Sequence, residues 1–486
     1  MRSKNTLAAA AAAFVILVCL FSHLGAIGLV GPDEPRYAWI ARDMAATGDW
    51  VTPRLYGRPW FEKPALYYWA AAVGFDLHFP AEWASRLPSA LAALIAALAL
   101  GWIGWKIYGT GESPARSPAL FGPVLFSTCV GAIGFSRAAG PDMMFSASLA
   151  LAMASAASVL LRAGALRGEL KAHASSSGRD SLTLVMFGTF LGLAVLAKGP
   201  AGVVLAGGAI GMWALAGAQW RGAFRLAHPI AIVSFAVVAL PWYVICARRN
   251  PDFIRVFIFQ HNFDRYLTNE FQHRQPFWFF APVLLVALLP WTVLLFGAAK
   301  DGLKLWRDKS WNKSAGFFFA CWALFPVLFF SFSQSKLPGY ILPAVPPACL
   351  VLAIFLARRL RRASERWATA SVALTVFLIV CAVEYAGLRV LPNLDRSLSP
   401  RSASLAAASA PPEQLRVYQI PRAWQFGLNF YLKRELPEWS LADSGNSWVF
   451  TTKAGADALG RTGREVIVIG TSSSKELLVQ LRPAKP

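Results

Sequence analysis

Stretches of about twenty apolar residues recur along most of this chain, and that is the length a helix needs to cross a hydrocarbon layer. No other feature narrows the fold as far, because only helices and closed barrels cross lipid with their backbone groups satisfied. Composition agrees. Of 486 residues, 56% are hydrophobic and 15% charged, with a mean hydropathy of +0.46, whereas soluble domains carry roughly 25% charged residues. Eleven candidate spans follow: 7–30, 87–105, 118–135, 142–161, 182–197, 201–218, 229–247, 277–298, 314–332, 338–357 and 367–387. The first is too long for a signal-peptide core and lacks a small-residue cleavage site after it, so a retained helix is expected. The fold class expected is a polytopic α-helical membrane protein.

A formal net charge of +21 would suggest nucleic acid in a soluble protein, but its placement gives another reason. With the amino terminus inside, the interior segments hold twenty basic residues against six acidic ones, and the exterior loops fourteen against eleven. The excess faces the anionic cytoplasmic leaflet, and no nucleic-acid partner is needed. An odd number of spans puts residues 388–486 outside. The six cysteines all lie in apolar runs with no CxxC pair, so buried small side chains are expected rather than disulfides or a thiolate metal site.

Two exterior segments are long, 31–86 and 248–276. The expected organisation is a membrane domain over 1–387 and a small soluble α/β domain over 388–486. In the latter, "WVFTT" (448–452) reads as a strand and "EVIVIG" (465–470) as a buried one, and "SLSPRSASLAAASAPP" reads as a loose linker. No internal repeat is visible, which weakens a transporter built from duplicated halves.

Ionisable groups at the edge of hydrocarbon are costly, and they gather on one side. In "GPDEPRYAWIARDMAATGDW" (31–50), Pro35 suits a helix's first turn and Gly48 its end. Tyr37, Ile40, Ala41, Met44 and Ala45 give that helix an apolar stripe, so it is predicted to lie in the interface. Asp33, Arg36 and Tyr37 share one face near its start. The plain alternative is that Asp33 caps the helix and Arg36 pairs with Glu34 or a lipid phosphate. "PWFEKPALYYW" (59–69) sets Glu62 and Lys63 between aromatic rings; a carboxylate for a metal and an ammonium for a phosphate compete with an ordinary surface dipeptide. Asp142 begins the fourth span, as a site acid or a helix cap. Lys198 ends a span before Gly-Pro, where snorkelling is a fair alternative. "QHNFDRY" puts His261 and Arg265 four apart, and "SQSKLPGYILPAVPP" (333–347) sets Lys336 and Tyr340 at a broken helix entry. Lysine and arginine converging on one side suit a phosphate headgroup. No Gly-rich nucleotide loop, HExxH or GxSxG pattern occurs.

"DEPRYAWIARDMAATGDWVTPRLYGRPWFEKPALYYW", the "LAKGP" step, "HNFDRYL" and "KLPGYILP" together resemble the aminoarabinose transferase-like branch of the protein mannosyltransferase superfamily, over most of residues 1–350. The resemblance implies the C-type glycosyltransferase fold, a polyprenyl-phosphate sugar donor, and transfer with inversion at the periplasmic face of a bacterial inner membrane. By motif, it implies Asp33 as catalytic carboxylate with Asp142 as a second acid. Lys63, Arg36, Tyr37, Arg265, Lys336 and Tyr340 become donor-phosphate ligands, and Glu62 and His261 ligands of a divalent metal, zinc being expected. Trp60 stands where the family pattern has tyrosine or phenylalanine. The acceptor expected is lipid A or another glycan or lipid, and the protein a monomer. A mannosyl- or galacturonosyl-type transferase acting on protein or polysaccharide is the alternative. A lipid-linked sugar flippase would place charges near the bilayer midplane instead.

Overall fold

The computed structural model describes residues 2–108, 117–166, 178–264, 266, 274–308, 314–362, 365–407, 410–443, 445–471 and 476–482. Each of the eleven apolar runs contains helix where it was predicted. Among the described residues six helices are long and apolar enough to cross a membrane: Ala81–Ile107, Asp142–Arg162, Gly178–Lys198, Pro229–Arg249, Pro338–Leu360 and Thr369–Leu398. Three further runs are shorter apolar helices, Thr6–Phe21, Ala201–Gly217 and Ala315–Ser331. The chain packs as two units rather than dividing at residue 387. One comprises Met1–Ser22, Phe61–Tyr67 and Leu87–Cys381; the other comprises His23–Trp60, Tyr68–Arg86 and Ala382–Pro486.

In the first unit two runs that read as straight spans are bent. Pro118–Ser127 and Val130–Ser136 meet at 61°, and Phe280–Ala287 and Thr292–Arg307 at 113°. The two breaks complete one another. The Val130 N–H donates to the Leu289 carbonyl at 3.0 Å, and the Trp291 indole to the Thr128 hydroxyl at 2.9 Å. Irregular backbone in the interior is thereby satisfied by protein rather than exposed to lipid. The Ala/Ser-rich helix Asp142–Arg162 is central, with 83% of its apolar stretch buried, against 6% for Thr369–Leu398. Helix Gly178–Lys198 packs beside it and against Pro229–Arg249. A Cβ at Gly188 would stand 2.0 Å from the Ala231 carbonyl oxygen, so a hydrogen side chain is what lets those helices touch. The segment read as the 248–276 loop contains a π-helix, Ile254–Asp264. His261 lies in this π-helix, and Arg265, expected four residues on, lies outside the described residues.

In the second unit the helix Asp33–Thr47 starts after Pro32, carries Pro35 in its first turn, and ends at Gly48 with φ +70°. That left-handed conformation is the reason for glycine. Tyr37, Ile40, Ala41 and Met44 of the predicted stripe are buried. The first predicted span is shorter than expected: its helix stops at Phe21, and residues 22–30 are irregular. The carbonyls of Leu24, Ile27 and Gly28 accept from the Arg86 guanidinium at 2.6–2.8 Å instead of closing helical turns. A four-stranded sheet forms from the last residues. Leu415–Tyr418 pairs in parallel with Ser447–Thr452, which pairs antiparallel with Glu476–Arg482, and that strand with Glu465–Thr471. "EVIVIG" is thus an edge strand, not a buried one, with Val468 and Ile469 about half exposed. Part of the expected linker is helical, at Leu391–Leu398 and Arg401–Ala406.

Candidate active site

A cavity of about 400 Å³ opens in the first unit. Its polar lining is Glu62, Lys63, Lys198, His261, Tyr266, Ser333 and Tyr340; its apolar wall includes Ala201, Val204, Phe257, Phe329 and Phe330. Residues from five separate stretches of sequence therefore meet, and among them are four of the expected site residues: Glu62, Lys63, His261 and Tyr340. The proline-rich segment Pro338–Ala344 is a 3-10 turn that sets Tyr340 beside Phe330, rings 5.1 Å apart. Phe61, next to Glu62, packs edge-on to Phe253 at 5.2 Å.

Charges in this cavity are mostly shielded from water. The Lys63 ammonium is 3.5 Å from Glu62, and their side chains are only 16% and 10% exposed. Lys198 does not snorkel: its ammonium pairs with the Asp142 carboxylate and lies 4.9 Å over the Tyr340 ring. Asp142 is no cap either, because the capping position belongs to Pro141 and no side chain caps the helix. It instead links the cavity's cation to the first turn of the central helix, where a carboxylate also meets the positive end of the dipole. Lys336 is not among the lining residues. Its buried ammonium donates to the Ser333 carbonyl at 2.5 Å. Lys198 and Tyr266 join the lining beyond the residues expected. Tyr266 stacks on Phe329 at 4.8 Å and donates to its carbonyl at 2.9 Å. Both lie inside quoted motifs, but only a tertiary contact distinguishes them from their neighbours.

Asp33, Arg36 and Tyr37 belong to the second unit. Arg36 pairs with Asp33, and its Nε–H donates to the Pro32 carbonyl at 3.0 Å. Arg36 is buried whereas the Asp33 side chain is 55% exposed. Glu34 pairs not with Arg36 but with Arg86 at 2.7 Å, and also accepts from the Val30 N–H at 2.9 Å. Tyr37 is 4% exposed, edge-on to Tyr68 at 6.0 Å. The pair that points a carboxylate outward is therefore braced from within its own helix.

For a metal, Glu62 and His261 line the same cavity, and one imidazole with one carboxylate suits a borderline ion such as zinc. Among the described residues no group of three or more His, Cys, Asp or Glu side chains forms.

Comparison with known proteins bears on the whole arrangement. A sequence model of the family described as "Dolichyl-phosphate-mannose-protein mannosyltransferase" matches residues 6–257. The undecaprenyl phosphate-alpha-4-amino-4-deoxy-L-arabinose arabinosyl transferase of Edwardsiella ictaluri is 31% identical over 327 residues, covering 67% of this chain and 55% of that protein. Its counterpart in Erwinia tasmaniensis is 33% identical over 325 residues, 66% and 54% of the two chains. The chain thus spans about half the length of these relatives. A crystal structure of ArnT from Cupriavidus metallidurans bound to undecaprenyl phosphate superposes with a TM-score of 0.77 at 21% identity, covering 98% of this chain and 97% of that one. The fold is therefore the C-type glycosyltransferase fold of a multi-pass membrane protein, and the chain belongs to the dolichyl-phosphate-mannose-protein mannosyltransferase family.

Proposed function

We propose that this protein is an inverting glycosyltransferase that moves a sugar from a polyprenyl-phosphate donor to an acceptor at the periplasmic face of the bacterial inner membrane. The acceptor we assign is lipid A, and the sugar 4-amino-4-deoxy-L-arabinose or a close relative. One observation carries this: one cavity combines an apolar aromatic wall with two lysines and two tyrosines, the chemistry that suits a phosphate on a hydrocarbon chain. The relatives named for undecaprenyl-phosphate aminoarabinose, and the related fold crystallised with undecaprenyl phosphate, support the donor class. The cytoplasmic excess of lysine and arginine supports the orientation.

Breaking the sugar–phosphate bond leaves negative charge on the departing phosphate. Lys63, Lys198 and the Tyr340 hydroxyl are held in place before that charge develops, and a pre-organised donor of this kind contributes roughly 3 kcal/mol. Asp142 keeps Lys198 directed by ion pairing. Asp33 is the carboxylate we assign to the acceptor. It removes a proton from a hydroxyl acceptor; a lipid A phosphate is already nucleophilic and needs none removed. Glu62 and His261 would hold a divalent metal, whose chemistry would be neutralisation of phosphate charge. The direct test is transfer of labelled sugar from undecaprenyl-phosphate aminoarabinose to lipid A by the full chain in proteoliposomes. Lys63→Ala should lower turnover roughly 100-fold with the protein still inserted and folded; wild-type turnover in that variant would remove the proposal.

A further inference from the structure

The family match ends at residue 257, yet a helix far beyond it touches the Asp33 arrangement inside the second unit. Helix Arg422–Tyr431 packs on helix Asp33–Thr47. The Arg36 guanidinium lies 5.3 Å over the Phe426 ring, 5.6 Å over Trp60 and 5.8 Å over Tyr37. One helical turn on, Phe430 repeats the contact. Arg42 lies 4.3 Å over its ring and donates to its carbonyl at 2.9 Å. Tyr431 anchors the same helix to the segment just before Asp33, accepting from the Leu29 N–H at 2.7 Å, and to Glu82, to which it donates at 2.8 Å. Burial and the neighbouring Glu82 push its phenol well above the ordinary range, so that it remains a donor.

We propose that Phe426 is a positioning residue for the transfer reaction: with Trp60 it cages Arg36, and Arg36 in turn fixes the exposed Asp33 carboxylate. The inference rests on the catalytic role assigned to Asp33 above. The physical argument is that a guanidinium ringed by aromatic faces keeps its charge while losing its rotational freedom. An aspartate half open to water, paired with an arginine so held, has one preferred rotamer rather than several. The last hundred residues would then take part in turnover through an aromatic ring rather than through any contact with substrate.

The test compares Phe426→Leu, which keeps apolar bulk without a π-face, with Phe426→Tyr, which keeps the ring. Both are made in the full chain in nanodiscs. Expected for Phe426→Leu are a kcat at least fivefold below wild type, a donor KM within twofold, and faster backbone hydrogen exchange over residues 33–40. Phe426→Tyr restores all three. A wild-type kcat and exchange rate in Phe426→Leu overturn the proposal, as does an equal loss in both variants, because the ring would not be the cause. If the unmodified protein transfers nothing from the donor, the function proposed above fails separately. The exchange rates of the two variants then still decide whether the ring holds the helix start.

Discussion

Two sets of charges in this protein look alike in sequence and are built for different ends. In the first unit, Glu62, Lys63 and Lys198 line a cavity and face space that a ligand can fill. In the second, Arg86 is 2% exposed and engages Glu34 together with three backbone carbonyls. Nearby, Arg401 joins Asp395 at 2.8 Å, Glu82 at 3.2 Å and the Gly25 carbonyl at 3.3 Å. Every donor of Arg86's fork that is seen has a protein acceptor. Such a residue replaces missing helix in the 22–30 segment and holds it, whereas the cavity lysines pair with the carboxylates of Glu62 and Asp142. Burial alone does not separate the two sets; what distinguishes them is that Arg86 binds three backbone carbonyls while Glu62, Lys63 and Lys198 line an opening.

That contrast can be broken most forcefully at Arg86. Arg86→Ala leaves Glu34 and three carbonyls buried without the guanidinium, and the expected loss is about 3–5 kcal/mol. It should appear as protease sensitivity within residues 23–60 at temperatures the wild type tolerates. A folded but inactive Arg86→Ala protein would mean that this charge serves turnover and not scaffold. A smaller effect sharpens the line at Lys336, which sits in a motif but outside the cavity lining. Lys336→Met removes one donor from the Ser333 carbonyl, costing about 1 kcal/mol, and kcat/KM should stay within threefold of wild type. A 100-fold loss there would move Lys336 among the phosphate ligands. The smallest change is expected at Arg58, whose 2.5 Å pair with Glu435 is 68% and 45% exposed. Arg58→Gln should alter stability by less than about 0.5 kcal/mol, a shift in Tm at the limit of calorimetric detection.

Local chemistry made much of this readable in advance. The apolar runs found their helices, and the Pro35–Gly48 frame found both ends of the Asp33 helix, because proline and glycine act on their own φ angles. Glu62, Lys63, His261 and Tyr340 were brought to one cavity as their motifs implied. What escaped depends on partners distant in sequence. Lys198 reads as a snorkelling terminus until Asp142, 56 residues away, is seen against it. The Phe426 ring over Arg36 comes from a helix nearly 400 residues away and has no signal in the Asp33 motif. The bend at Thr128 leaves no mark in hydropathy, since the groups that compensate it come from Leu289 and Trp291. Glu465–Thr471 has the composition of a central strand, and only strand order makes it an edge.

The second unit is assembled from both ends of the chain, His23–Trp60 and Tyr68–Arg86 with Ala382–Pro486. Synthesis therefore finishes its early pieces long before its late ones. About 375 residues separate the end of the Asp33 helix from the start of the Phe426 helix, so at typical ribosomal speeds the Asp33 segment waits about 20 to 75 s for its clamp. During that interval the membrane helices between are being inserted while Arg36 lacks one of its aromatic neighbours. The aromatic clamp on Arg36 therefore closes late in synthesis, and a chain interrupted before residue 422 would leave Arg36 without its Phe426 face.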